Sequence, residues 1–143
     1  MDLLHEVRTW RKQLTDRVLG PWVPALSADD LTRLGTWACF LGAIAWLAGH
    51  RWMGVLGLAF SLLFDLLDGV QARREGQVKP HLDWAADRWA ELTWVGPLLL
   101  SEPALWSWGY LALAAANVFL PRWGVSMLPL RHLLILYAVF VYG

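Results

Sequence analysis

Four aspartates, Asp65, Asp68, Asp83 and Asp87, lie beside or inside apolar runs of this 143-residue chain. A carboxylate loses solvation free energy in an apolar setting, so its presence there indicates a function unless a partner neutralises it. Carboxylate oxygens are the ligands that hard divalent cations such as Mg²⁺ prefer, and bound Mg²⁺ keeps positions open for substrate phosphates. These residue types therefore indicate a divalent metal site and phosphoryl chemistry.

The spacing of the aspartates predicts that they lie on two helix faces. Before the loop, four residues recur at three- and four-residue spacing and so share a face: Asp65, Asp68, Gly69 and Ala72. After it, Asp83 and Asp87 share a face of the next helix, and Glu91 continues that row. Because a short loop joins the helices, we expect the two carboxylate faces to meet. Converging carboxylates repel one another unless a cation lies between them.

A purely structural interpretation is open for each aspartate taken alone. Asp–Arg pairs at the ends of membrane helices are often satisfied ion pairs, and Asp83 could begin its helix as an N-terminal anion. The four together favour the metal site. Arg73 and Arg74 follow the first pair, where a phosphate could be held. Gly69, which has no side chain, could let a ligand approach the backbone.

The elements that must position these residues are five apolar segments, each close to the ~20 residues that a helix needs to cross a bilayer. Their approximate bounds are 31–50, 52–70, 82–100, 103–120 and 125–143. Short loops between them predict antiparallel neighbours in an all-α bundle, with no β alternation. A soluble helical core is the alternative, but five such segments leave too little polar surface in so short a chain. We therefore expect one integral-membrane domain, 1–143, with its bundle at 31–143.

Composition and charge restrict the partners. The chain is 57% hydrophobic with a formal net charge of zero, so nothing indicates a nucleic-acid partner. Eleven of its twelve Lys and Arg residues fall on one side of the predicted bundle, which places the Asp-rich loop in the cytoplasm. If the organism is bacterial, the expected location is the inner (plasma) membrane. The single cysteine, Cys39, is predicted to be a small core residue and not a reactive thiol.

Residues 1–20 predict a separate amphipathic helix that lies on the membrane surface. Its apolar residues form one face, with charged residues elsewhere: Leu3, Leu4, Val7, Trp10, Leu14 and Val18. Packing on a soluble partner is the alternative. Two prolines then end this helix, and Ser27 or Asp29 is a candidate N-cap for the next one.

The Asp-rich stretch resembles the signature of the CDP-alcohol phosphotransferase family, D-x2-D-G-x2-A-R, a spacer and G-x3-D-x3-D. The first half is complete as "DLLDGVQAR", residues 65–73, and the last part is present as "DWAAD", residues 83–87. The stretch "LSADDLTRLG", residues 26–35, is also similar to the family segment before its first membrane helix. Two features depart from the pattern. The spacer 74–82 is short, at nine residues, and Lys79 stands where the family has Gly.

The resemblance implies a fold, a reaction and roles for the residues. Such enzymes are homodimers with six membrane helices, of which this sequence shows five. They transfer the substituted phosphate of a CDP-linked donor, usually CDP-diacylglycerol, to an alcohol hydroxyl and release CMP in phospholipid synthesis. The implied ligands of Mg²⁺ or Mn²⁺ are Asp65, Asp68, Asp83 and Asp87. The implied contacts to CDP are Asp65, Gly69, Ala72 and Arg73. Asp87 is also the implied catalytic base.

No motif identifies the acceptor alcohol. Arg131 or Arg122 could bind an acceptor phosphate, Arg131 being the stronger candidate, but ordinary positive-inside anchoring is the preferred interpretation of both. Asn117 is expected to join two helices. Two other functions stay open: a non-catalytic homologue that binds metal or nucleotide, and a small membrane protein whose aspartates conduct cations. Metal-dependent release of CMP separates the transferase from both.

Overall fold

The protein is all-helical over the residues that the computed structural model describes, which are 3–23, 25–77, 83–102, 104–119 and 130–142. At residues 3–8, 11, 83, 104 and 119 only the backbone is described. The helices are α1 (Leu3–Leu19), α2 (Ala28–Leu47), α3 (Arg51–Arg74), α4 (Asp83–Thr93), α5 (Val95–Ser101), α6 (Ala104–Phe119) and α7 (Leu130–Tyr142). A 3₁₀ turn, Gly20–Trp22, follows α1. The all-α prediction is confirmed for this part of the chain.

The third predicted segment, 82–100, is interrupted. α4 ends at Thr93 and α5 begins at Val95, with a turn at Trp94 whose N–H donates to Glu91 O at 3.3 Å. Pro97, in the third position of α5, has no N–H to donate to the carbonyl four residues earlier, and its ring crowds that carbonyl. The prediction of one continuous third helix is therefore wrong, and a short helix, α4, carries the second pair of aspartates.

Membrane-spanning character is concentrated in one helix. Among the described residues, α3 alone is long and apolar enough to cross a bilayer by length and composition, and α7 is apolar but shorter. The sequence predicted five such spans. The described helices include one clear candidate, so the bundle of several membrane helices stays a prediction.

α2 and α3 form an antiparallel pair whose backbones lie in contact. A Cβ atom built at Gly57 would lie 2.5 Å from Gly42 Cα and 2.7 Å from the carbonyl oxygen of Ala38. At Gly35, nearer the start of α2, a Cβ atom would lie 3.1 Å from Phe64 Cβ. Small residues at a helix–helix contact permit this close approach. The pair forms the frame on which the other helices pack.

The end of α3 is defined by a glycine motif. Gly76 adopts a positive φ of 74°, the N–H of Gln77 donates to Ala72 O at 2.7 Å, and the N–H of Gly76 donates to Arg73 O at 3.2 Å. This pair of bonds is a Schellman motif, which glycine favours because it reaches positive φ without steric cost. α3 therefore stops at Arg74, directly after the signature residues.

The helix preceding this pair is tied to it by arginines. Arg73 Nε donates to Asp16 of α1 at 3.0 Å, and Arg74 donates to Gly20 O at 2.9 Å. At the start of α2, the Ser27 hydroxyl accepts from the Asp30 N–H at 3.1 Å, so of the two predicted N-caps the structure has Ser27. α1 is thus fixed beside the signature end of α3.

A second cluster of polar side chains joins the other end of the bundle. Glu102, just after α5, accepts hydrogen bonds from the hydroxyls of Tyr137 and Tyr142 on α7, each at 2.7 Å. Arg51, at the start of α3, lies 3.7 Å from the same carboxylate. The far end of α7 is therefore held to α3 and α5. Between the two ends lies an apolar core, in which Cys39 is buried as predicted.

Replacing Gly57 by Leu is expected to lower the free energy of unfolding by roughly 1–3 kcal/mol, because its side chain would meet the backbone of α2. Thermal unfolding of the purified protein in detergent measures the change. The matched control is Gly109→Ala, since no described atom lies within 4 Å of a Cβ built there. Equal loss of stability in both variants would contradict the close packing of α2 on α3.

Candidate functional site

Three of the four aspartates line one small cavity. Asp65 and Asp68 reach it from α3, Asp87 from α4, and Arg131 from α7. The remaining lining residues come from α2, α3 and α4: Thr32, Gly35, Thr36, Ser61, Ala86 and Ala90. The cavity holds about 10 Å³, space for roughly one water molecule. The expected meeting of the two carboxylate faces is present for these three side chains.

The fourth aspartate, Asp83, is the first residue of α4. Its side chain lies outside the described part of the structure, as do the predicted acceptor residue Arg122 and the loop residue Lys79. One helical turn later on α4, the side chain of Asp87 lines the cavity.

Asp68 is a buried carboxylate with a hydroxyl partner. It is 2% exposed, and Thr32 Oγ1 on α2 donates to its Oδ2 at 2.6 Å. A hydrogen bond from a neutral donor offsets part of the desolvation cost of a carboxylate. The close contact of α2 with α3 places this hydroxyl. Thr32 was not predicted from the sequence, because it is one of two threonines on α2 and its spacing does not distinguish it from Thr36.

Arg131 lies between two of the carboxylates. Its Nη2 contacts Asp87 Oδ1 and lies 3.4 Å from Asp65 Oδ1, while its Nη1 donates to Ser61 Oγ at 3.1 Å. The side chain is only 11% exposed. Positive-inside anchoring, the preferred sequence interpretation of Arg131, stays a prediction, but the side chain lies inside the site. It is a member of the aspartate cluster.

Arg131 reaches the aspartates from the start of α7, because the adjacent face of that helix is packed into the core. Leu130, Leu134 and Ala138 follow one another at four-residue spacing and are all buried. Ser61 was not predicted either, although the sequence carries a signal for it: it lies four residues before Asp65 on the same helix and shares its face.

The predicted CDP contacts differ in their surroundings. The guanidinium of Arg73 is paired with Asp16, on α1. Ala72 is fully buried. Beside Gly69, the nearest described atom to a built Cβ is Arg73 Nη1 at 3.5 Å, an ordinary contact distance. Gly69 is therefore only lightly covered by described protein atoms.

Glu91, expected to continue the row of Asp83 and Asp87, belongs to a separate buried network. Its carboxylate lies 3.1 Å from Arg88 Nη1 and accepts from Asn117 Nδ2 at 3.2 Å. Arg88 also donates to Asn117 O at 3.1 Å. The prediction that Asn117 joins two helices is confirmed, since it links α6 to α4. The three-residue spacing of Arg88 and Glu91 is the sequence signal for the ion pair.

The carboxylates have the chemistry of a divalent metal site. No group of three His, Cys, Asp or Glu side chains in the described ranges lies close enough together to hold a metal ion. Asp65 and Asp87 nevertheless contact the same guanidinium nitrogen, so the two fit a cation shared between them. Their oxygens match the ligand preference of Mg²⁺ and Mn²⁺. Asp68 lies in the same cavity.

Sequence comparison assigns a family to most of the chain. Residues 26–142 match the profile of the family described as CDP-alcohol phosphatidyltransferase. A curated relative, phosphatidylinositol phosphate synthase of Mycolicibacterium smegmatis, is 34% identical over 90 residues. The match covers 56% of this chain and 40% of that protein, so the chain spans less than half of the relative's length. No solved structure matches the chain significantly.

Replacing Thr32 by Val is expected to lower the free energy of unfolding by about 1–3 kcal/mol. Val has nearly the same shape as Thr but no hydroxyl, so the buried Asp68 carboxylate loses a hydrogen-bond donor. Thr36→Val is the matched control, since the Thr36 hydroxyl donates to a carbonyl of its own helix. Thr32→Ser should retain most of the stability. Thermal unfolding in detergent compares the three variants, and equal effects of the two Val substitutions would exclude the proposed support of Asp68.

Proposed function

Because this chain belongs to the CDP-alcohol phosphatidyltransferase family, we propose that it transfers the substituted phosphate of a CDP-linked lipid to an alcohol hydroxyl and releases CMP. The observation that carries the proposal is the convergence of Asp65, Asp68 and Asp87 on one cavity. These carboxylates come from both halves of the signature, and the packing of α2, α3 and α4 brings them together.

The proposed step has a simple balance. The acceptor oxygen forms a bond to the lipid-bearing phosphorus of the donor, and the bond from that phosphorus to the CMP oxygen breaks. CMP leaves with the electron pair of that bond. Asp87 takes the proton of the acceptor hydroxyl, as a carboxylate within hydrogen-bond reach can. Most of the remaining acceleration comes from holding donor and acceptor in line.

The proposed ligands of Mg²⁺ or Mn²⁺ are Asp65, Asp68, Asp83 and Asp87. A divalent ion held there would offset the charge of the donor diphosphate and of the leaving CMP. The contribution of the chain is the arrangement of oxygens. Thr32 holds Asp68, and Asp65 and Asp87 face each other across a single cationic group.

The nucleotide is proposed to lie along α3, beside the cavity. Asp65, Gly69, Ala72 and Arg73 are its proposed contacts. The sparse contacts at Gly69, where Arg73 Nη1 lies 3.5 Å from a built Cβ, support this position. Arg73 would reach a donor phosphate by exchanging the Asp16 carboxylate for it, since a guanidinium binds both kinds of oxyanion with the same geometry.

The acceptor is proposed to carry a phosphate of its own. The name of the Mycolicibacterium relative states the product phosphatidylinositol phosphate, and inositol phosphate is therefore the first acceptor to test. Arg131, which lies within the cavity, and Arg122 are the proposed contacts to the acceptor phosphate. A guanidinium suits this role because its paired N–H groups match two phosphate oxygens.

A membrane setting is the proposed environment for the whole chain, 1–143. Large apolar side chains are exposed on the outside of the bundle, among them Trp37, Leu56, Phe60 and Phe140. α1 also exposes the described apolar residues Trp10, Leu14 and Val18, with Trp10 at 63% exposure, as expected of a helix lying on a lipid surface. CDP-diacylglycerol could then keep its acyl chains in the bilayer while its head enters the site from the cytoplasm. We also propose that two copies of this chain form a homodimer.

We expect the purified protein in lipid to release CMP from CDP-diacylglycerol only when both an acceptor alcohol and Mg²⁺ or Mn²⁺ are present. Asp87→Asn should lower the rate by a factor of at least 100, the lower end of general-base effects. The assay measures CMP with inositol phosphate, glycerol phosphate, serine and inositol as acceptors. The matched control is Asp30→Asn, an aspartate at the start of α2 whose side chain is 48% exposed.

The outcomes separate the functions that the sequence left open. If no alcohol supports CMP release while Mn²⁺ or CDP still binds, the protein is a non-catalytic homologue and not a transferase. Cation flux across vesicles without CMP release would support the conducting protein. Equal loss of activity in Asp30→Asn and Asp87→Asn would remove the assignment of Asp87 as the base.

A further inference from the structure

The guanidinium of Arg131 occupies the space between the two halves of the signature. It contacts Asp87 from α4, approaches Asp65 from α3 to 3.4 Å, and is fixed by the Ser61 hydroxyl at 3.1 Å. Asp65 and Asp87 retain 35% and 19% of their side-chain exposure, whereas Arg131 retains 11%. The arginine is therefore the most enclosed member of the three.

This position leaves little room for a second cation. The cavity holds about 10 Å³ with Arg131 in place, space for roughly one water molecule and none for a hydrated divalent ion. A divalent ion beside a retained guanidinium would also be repelled by it, and repulsion between charges is strong in a partly buried site. The arginine and a metal ion therefore exclude each other.

We propose that Arg131 is an internal counter-cation of Asp65 and Asp87, and that a divalent metal ion displaces it from these two carboxylates. This inference rests on the proposed function, because it requires the aspartates to bind a metal. The guanidinium neutralises repulsion between the carboxylates before the metal arrives. It is released when the metal takes over that role.

The displacement is a movement of the side chain more than of the helix. The far end of α7 is held by the hydrogen bonds of Tyr137 and Tyr142 to Glu102. Its near end is held by buried Leu130 and Leu134. Once released from the carboxylates, the Arg131 guanidinium is a positively charged group at the edge of the site, no longer paired with Asp65 and Asp87. Metal binding thus makes an arginine available to an anionic ligand.

The test measures the affinity of the purified protein for Mn²⁺ by electron paramagnetic resonance of the free ion, without substrates. Arg131→Gln is expected to bind Mn²⁺ about tenfold more tightly than the parent protein, because the paired state no longer competes. Arg131→Lys, which keeps the charge, should fall between the two. The matched control is Arg33→Gln, which removes an exposed arginine paired with Asp30 at 3.3 Å.

A second measurement follows the guanidinium itself. Modification of Arg131 by phenylglyoxal, located by mass spectrometry, should become several-fold faster when Mn²⁺ is added to the parent protein. It should not respond to Mn²⁺ in Asp87→Asn if the metal needs that carboxylate. Modification of Arg33 provides the internal reference.

The outcomes distinguish this inference from the proposed function. Equal or weaker Mn²⁺ binding by Arg131→Gln, with binding still lost in Asp65→Asn, would overturn the competition and leave the metal site standing. A modification rate of Arg131 that does not rise with Mn²⁺ would also overturn it. Absence of Mn²⁺ binding in both the parent protein and Arg131→Gln would remove the metal site and this inference together.

Discussion

The site depends on the contact between the backbones of α2 and α3. Without side chains at Gly42 and Gly57, the two helices lie closer than ordinary residues permit. That distance brings the Thr32 hydroxyl to the buried Asp68 carboxylate. Since α4 packs against α2, the same contact determines where the second half of the signature lies relative to the first. A wider helix pair would separate the carboxylates from their donors.

Carboxylates in the apolar parts of this fold have donors within the protein, but the arrangement differs from place to place. Glu91 has its own arginine and amide, and Glu102 accepts from two tyrosine hydroxyls. Those groups stabilise contacts between helices. Asp65 and Asp87 instead share one guanidinium beside a cavity. Two carboxylates that share one guanidinium form a site that can accept another cation. An ion pair in which each carboxylate has its own partner only supports packing.

The sequence predicted the parts of the structure that depend on local periodicity. The helical class and the face carrying Asp65 and Asp68 follow from spacing along one helix, and the joining role of Asn117 follows from its polarity within an apolar segment. The interruption at Trp94 was missed because Pro97 lies within an otherwise uniform apolar run, although the physical effect of a proline in a helix is local. The residues next to Arg131 in the sequence could not predict that it joins the aspartate cluster. It is 44 residues from Asp87 along the chain, and only the packing of α7 on α3 shows that they meet.

The glycine motif at the end of α3 makes the register of that helix independent of the length of the segment that follows it. The hydrogen bonds that stop the helix join residues 71–77 to one another, so they do not depend on the residues after Gln77. α4 starts again at Asp83. Insertions or deletions between these points leave the register of each helix unchanged, which makes the segment a natural position for evolutionary length polymorphism. The nine-residue spacer of this chain therefore follows a helix end that is defined before the spacer begins, and the first half of the signature keeps its register.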